Sequence, residues 1–248
     1  MKIIFDGLTS STAQYLGREP DTKLEYTIGL VDPRGNPIEE TDEGYVAVAH
    51  RQEYAIAFNR KAKYITDDSD STLSRRVAAD ITINGEPLRR IVLPDTNGTA
   101  TLKTKPGNND GRWFQALAVD SNRQARKIDA AQGEENAGLI TVRLCLEKEV
   151  DRASMIHIDG YDHQFSGGSR YLSGSFGILS SNPTKSMGAA VSGFSNRHTG
   201  QSFGSTTFRP EEGTAQTVHL RLAIDPEKTR VMVPREKPEP NPPAPIGR

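Results

Sequence analysis

The stretch DITINGEPLRRIVLPDTNGTATLKT (80–104) constrains the fold more than any other part of the chain. It carries two Asn-Gly pairs, at 84–85 and 97–98, each between runs in which apolar and polar side chains alternate. Alternation with a period of two puts the apolar residues on one face of a strand. Asn-Gly supplies the two positive-φ positions of a tight hairpin turn. Two consecutive hairpins are therefore expected here. A helix with a buried stripe needs apolar residues every 3.6 positions, and no segment of three turns has that spacing.

The period-two pattern recurs along the chain. KLEYTIGLVD (23–32) puts Leu24, Tyr26, Ile28 and Leu30 on one face, and RRVAADITI (75–83) does so with Val77, Ala79, Ile81 and Ile83. The strongest strand is GLITVRLCLE (138–147), whose more apolar side is Ile140, Val142, Leu144 and Leu146. TAQTVHLRLAID (214–225) turns Val218, Leu220 and Leu222 inward. Shorter strands are expected at KIIF (2–5), YVAVAH (45–50), EYAIAFN (53–59), PLRRIVL (87–93), TATLKT (99–104), RWFQALAV (112–119) and QSFGSTTFR (201–209). About ten to twelve strands with polar turns between them predict an all-β fold, an antiparallel β-sandwich of jelly-roll type. The 22 glycines and 15 prolines suit such a succession of short strands.

A single domain is expected over 1–232. Within it, 160–200 is dense in glycine and serine and reads as one long loop. The end of the chain, VPREKPEPNPPAPIGR (233–248), has six prolines among sixteen residues and reads as an extended, polyproline-like tail.

Charge and cysteine content narrow the partners. The 31 basic and 32 acidic residues are mixed along the chain and leave a net charge of −1, so no basic stripe marks a nucleic-acid site. The single cysteine, Cys145, allows no intramolecular disulfide and points to a reducing compartment. Set in LITVRLCLE, it reads as a buried, inert thiol. MKIIFDGLTS lacks the apolar core of a signal peptide, and no apolar run approaches the ~18 residues of a membrane span. The expected location is a virion or the cytoplasm of the producing cell, with neither membrane nor cofactor.

Several groupings have the residue types that chemistry needs. In MIHIDGYDHQF, His157 and Asp159 share a strand face and His163 or Asp162 returns across Gly160, a set suited to a transition metal but matching no defined motif. Asp67, Asp68 and Asp70 in DDSDS offer hard oxygen ligands without the glycine and distal glutamate of a calcium loop. Ser192, Ser195 and His198 lie close in sequence, but no nucleophile elbow frames them. The carboxylate pairs Glu39-Glu40, Asp42-Glu43 and Glu134-Glu135 sit in polar links. Trp113, Phe114, Tyr45 and Tyr54 form a candidate stacking platform, although alternation places Trp113 and Phe114 on opposite faces.

The order of EYAIAFN (53–59), VAADITINGEPL (77–88), GTATLKT (98–104), RWFQALAV (112–119), AGLITVRLCLE (137–147), HTGQSFGSTTFR (198–209) and TVHLRL (217–222) resembles uncharacterised jelly-roll-like β-sandwich proteins of bacteria, phages and large viruses. That resemblance implies a sandwich found in assemblies, and it supplies no catalytic residues. The expectation is thus a non-enzymatic structural protein, a virion component of capsid-associated, decoration or fibre type. Its partners would be further copies of itself or other structural subunits. Contacts are expected at Tyr161, Phe165, Tyr171, Phe176 and Phe194 in the Gly/Ser-rich stretch and at Pro238, Pro242 and Pro243 in the tail. The alternative is a carbohydrate- or ligand-binding module using exposed aromatics, with a glycan as partner.

Overall fold

The computed structural model describes residues 1–5, 23–41, 44–63, 76–94, 97–107, 111–120, 126–127, 135–148, 162–166 and 187–232. Among them, fourteen strands form one hydrogen-bonded sheet. In chain order they are β1 (Lys2–Phe5), β2 (Lys23–Val31), β3 (Tyr45–Val48), β4 (Glu53–Lys63), β5 (Val77–Ile83), β6 (Glu86–Pro87) and β7 (Ile91–Val92). They continue as β8 (Gly98–Leu102), β9 (Arg112–Ala118), β10 (Leu139–Leu146), β11 (Asp162–Ser166), β12 (Gly188–His198), β13 (Ser202–Thr206) and β14 (Gln216–Ile224). A seven-residue helix, α1 (Pro226–Met232), follows. The fold is all-β, as the alternation predicts, with more strands than the ten to twelve expected.

The main path runs β1-β2-β4-β9-β12-β14-β10-β5-β7-β11-β13. Pairing is antiparallel except between β3 and β14 and between β7 and β11. Distant strands of the sheet share one large buried cluster. Leu24, Tyr26, Ile28 and Leu30 from one end of the path join the same buried cluster as Val77, Ala79, Ile81, Ile83 and Ile140, Val142, Leu144, Leu146 from the other. The Gln216 side chain on β14 donates to the Ile4 carbonyl on β1 (2.7 Å) and ties these distant parts of the path together. Each inward set is the one the alternation selects, since a one-residue slip would expose a whole face.

Only the first Asn-Gly pair makes a hairpin. Asn84 and Gly85 both have positive φ (50° and 78°), as a type I′ turn demands, and they join β5 to β6. Pro87 sits opposite Thr82, where no ladder N–H is needed; the Leu88 N–H still donates to the Ile81 carbonyl (2.7 Å), and regular pairing with β5 resumes at β7. At the second pair, Gly98 has φ 135° and β8 leaves its predecessor to join β4. The expected second hairpin is absent, because a tight turn would have kept β8 beside β7. Arg51 and Gln52 likewise carry the chain between partners: β3 lies along β14, whereas β4 pairs with β2, β8 and β9.

The stretch 160–200 is not one long loop. Residues 162–166 are β11, and 188–198 are β12, a central strand between β9 and β14. Its small residues are there for closeness: a Cβ on Gly193 would stand 2.6 Å from Leu117 Cδ1. At Gly193 the glycine serves close packing rather than looseness. The tail 233–248 lies outside the described residues.

Candidate functional site

Three features of the sheet differ in character. The first is a hub built on Asn84. Its turn is not at the surface: Asn84 is 6% exposed. The Nδ2 amide donates to the Ser192 carbonyl (2.7 Å), while Oδ1 accepts from the Ser192 N–H (3.1 Å) and the Gly138 N–H (3.1 Å). The Asn84 N–H donates to the Leu139 carbonyl (2.9 Å). These partners fix the amide's orientation, since two of them are donors and one is an acceptor. Gly138 lies so close to β12 that a Cβ would stand 2.4 Å from the Ala190 carbonyl, and its φ is +67°. One side chain thus ties the β5–β6 turn to β12 and to the start of β10.

The second feature is an aromatic row across β4, β9 and β12. Tyr54 pairs in register with Phe114, and Phe114 with Phe194. Each ring centroid is 5.7 Å from the next, within the range of favourable offset contacts. Tyr54 and Phe114 are fully buried, but Phe194 is 45% exposed. The Tyr54 hydroxyl donates to Ser192 Oγ (2.6 Å), and burial holds its ionisation far above the usual phenol range.

The third feature is Arg60. On β4 it follows Tyr54, Ile56 and Phe58 on the core-facing side and is 3% exposed. In register its neighbours are Tyr26 on β2 and Gly98 on β8. Its Nε and Nη1 are buried and accepted by no described group. Other arginines contrast with it. Arg90 grips Asp80 through Nε (2.7 Å) and Nη2 (2.9 Å), and Arg76 holds Glu147 through Nε (2.7 Å) and Nη2.

These positions settle several sequence expectations. Ser192, Ser195 and His198 do not converge as a triad. Ser192 is committed to Tyr54, and Ser195 Oγ accepts from the Arg197 N–H (3.0 Å). The proposed stacking platform is largely internal: Tyr54, Phe114 and Trp113 are all buried. Trp113 faces away from Phe114, as the alternation predicts, and Val31, Ala55 and Ala57 pack around it. Lys103 Nζ and the Arg197 guanidinium cover its ring at 5.3 and 5.5 Å. Cys145 is buried among Ala78, Val92 and Phe208, and burial pushes its thiol up to about 11.

Among the described residues, no three His, Cys, Asp or Glu groups cluster as metal ligands, and no helix is long and apolar enough to cross a membrane. His157, Asp159, Tyr161, Tyr171, Phe176, Asp67, Asp68, Asp70, Pro238, Pro242 and Pro243 lie outside the described residues. His163 and Phe165 occupy β11 positions opposite Ser205 and Phe203. Arg60 is the residue that sequence reasoning missed. Its signal was the arginine that extends the inward period of Tyr54, Ile56 and Phe58 by one step.

No protein-family model matches the chain, and no curated protein or solved structure resembles it significantly.

Proposed function

We propose that the chain is a non-enzymatic, assembly-forming β-sandwich of jelly-roll type, a structural subunit of a phage or virus particle. The observation that carries this reading is Phe194. It ends a row of contacting aromatic rings whose other members are buried, so the row continues the core to the surface at a central strand. Covering the rest of its ring would contribute about 1 kcal/mol per subunit. An exposed apolar end of a rigid, fully supported row is a suitable anchor for a neighbouring subunit, because it loses little side-chain freedom on contact. The resemblance in segment order supplies the particle as its setting.

The test is light scattering after size exclusion on the full chain and on Phe194→Asp. A defined oligomer that falls to a smaller species in the variant supports the reading. A wild-type monomer at all concentrations overturns it. If that monomer binds a glycan array and loses binding in the variant, the ligand-binding alternative takes its place.

A further inference from the structure

We infer that the Arg60 end of the inner face is a binding site for a small oxyanion, of the carboxylate or phosphate class. A guanidinium keeps its charge at any physiological pH, so burial cannot be relieved by losing a proton. Proteins meet that cost by giving such groups an anion and hydrogen-bond acceptors. Arg76 and Arg90, both less buried, each have a carboxylate. Arg60, more deeply placed, has two buried nitrogens that no described group accepts.

The surroundings define what can fill the gap. Across β2 the register neighbour of Arg60 is Tyr26, itself next to Ile3 on β1, and along β4 its neighbour on the same face is Phe58. All three are buried, and the Ile3, Phe58 and Tyr26 side chains close that side. On the β8 side the register neighbour is Gly98, half-buried, and a Cβ there would meet nothing within 4 Å. Open space therefore lies on the β8 side of Arg60, where a side chain would otherwise stand, and an anion would approach the buried guanidinium from there. Space left by one absent side chain suits a small anion or the anionic head of a small molecule. Positive charge in an apolar surround selects charge first and shape second. A carboxylate or phosphate would supply both the counter-charge and the missing acceptors.

The experiment uses the full chain at fixed pH and ionic strength, with sodium acetate or inorganic phosphate replacing sodium chloride. At about a hundredfold excess over its dissociation constant, the preferred anion should raise the melting temperature by roughly 5–10 °C, saturably. Arg60→Met should abolish the rise. A response to acetate alone assigns the site to carboxylates, and a response to phosphate alone to phosphates. Equal melting in all three salts overturns the inference, as does a rise that survives in Arg60→Met. Should that variant not fold, the Nε–H resonance of Arg60 in the wild-type chain decides the matter. Titration with the same anions must move it saturably, and a resonance indifferent to both overturns the site.

Discussion

Asn84 and Arg60 are buried to nearly the same degree, 6% and 3% exposed, yet they stand at opposite extremes of polar bookkeeping. Asn84 commits its amide to three backbone groups, two from Ser192 on β12 and one from Gly138 just before β10, all within 3.1 Å. Arg60 brings a full charge into the same core and leaves Nε and Nη1 without an acceptor among the described residues. Burial alone therefore predicts neither group's contribution. A saturated polar group locks the elements it joins, whereas an unsaturated one weakens the fold until something else completes it. The first is architecture and the second is an opportunity for binding.

Removing the hub should give the largest effect. Asn84→Ala deletes the acceptor for two buried N–H groups and the donor for a buried carbonyl, and puts alanine at φ 50°. We expect a loss of about 3–4 kcal/mol in urea unfolding. Asn84→Gly separates the two causes. It accepts the positive φ but makes no side-chain bonds, so it should recover about 1 kcal/mol of that loss. Wild-type stability in Asn84→Gly would mean the hydrogen bonds contribute nothing, and the contrast with Arg60 would collapse.

At the other extreme the sign should reverse. Arg60→Met keeps an unbranched side chain of similar length on the core face and removes an uncompensated charge. In chloride buffer without oxyanion, the variant should be more stable than wild type by about 1–3 kcal/mol. Most core substitutions destabilise, so even a neutral result would set this position apart. A loss as large as that of Asn84→Ala would show that Arg60 is already satisfied within the folded chain.

The two sites also differ in how legible they were. The strands came through because alternation reports burial directly: the inward sets of β2, β5 and β10 are read from the sequence without adjustment. Partnership did not come through. The same dipeptide forms a hairpin at Asn84-Gly85 and a departure to another strand at Asn97-Gly98, because long-range pairing decides which neighbour the next strand joins. β12 was hidden for a related reason. Ala189, Ala190, Ser192 and Gly193 look like linker composition, yet they form a central strand on which a Cβ at Gly193 would stand 2.6 Å from Leu117 Cδ1 and against which Gly138 packs on the Ala190 carbonyl. The hub depended on both failures, since Asn84 acquires its partners only once β12 exists. For Arg60 the inward period was visible, but no local pattern tells whether an inward arginine finds a carboxylate.

A smaller effect, at His50, sharpens the comparison by moving one group between the two conditions. His50 follows β3 and is half-buried, and its Nδ1 accepts the Ala118 N–H at 3.0 Å. That bond requires an unprotonated nitrogen, so the neutral ring is the satisfied form. Burial, and then the positive charge of neighbouring Arg51, hold its pKa below the ordinary 6.5. A lowered folded pKa means the unfolded chain takes up its proton first as pH falls. Stability should then be fully present above pH 6.5 and decline below it, until the folded-state pKa is also passed. The decline can involve at most one proton, so it should be smaller than either substitution above. His50→Gln offers an amide oxygen as acceptor at every pH and should flatten this part of the stability profile between pH 7 and 5. An unchanged slope in the variant would assign the dependence to another group. A flattened one would show that a single nitrogen at the edge of this core passes from the condition of Asn84 to that of Arg60 on gaining a proton.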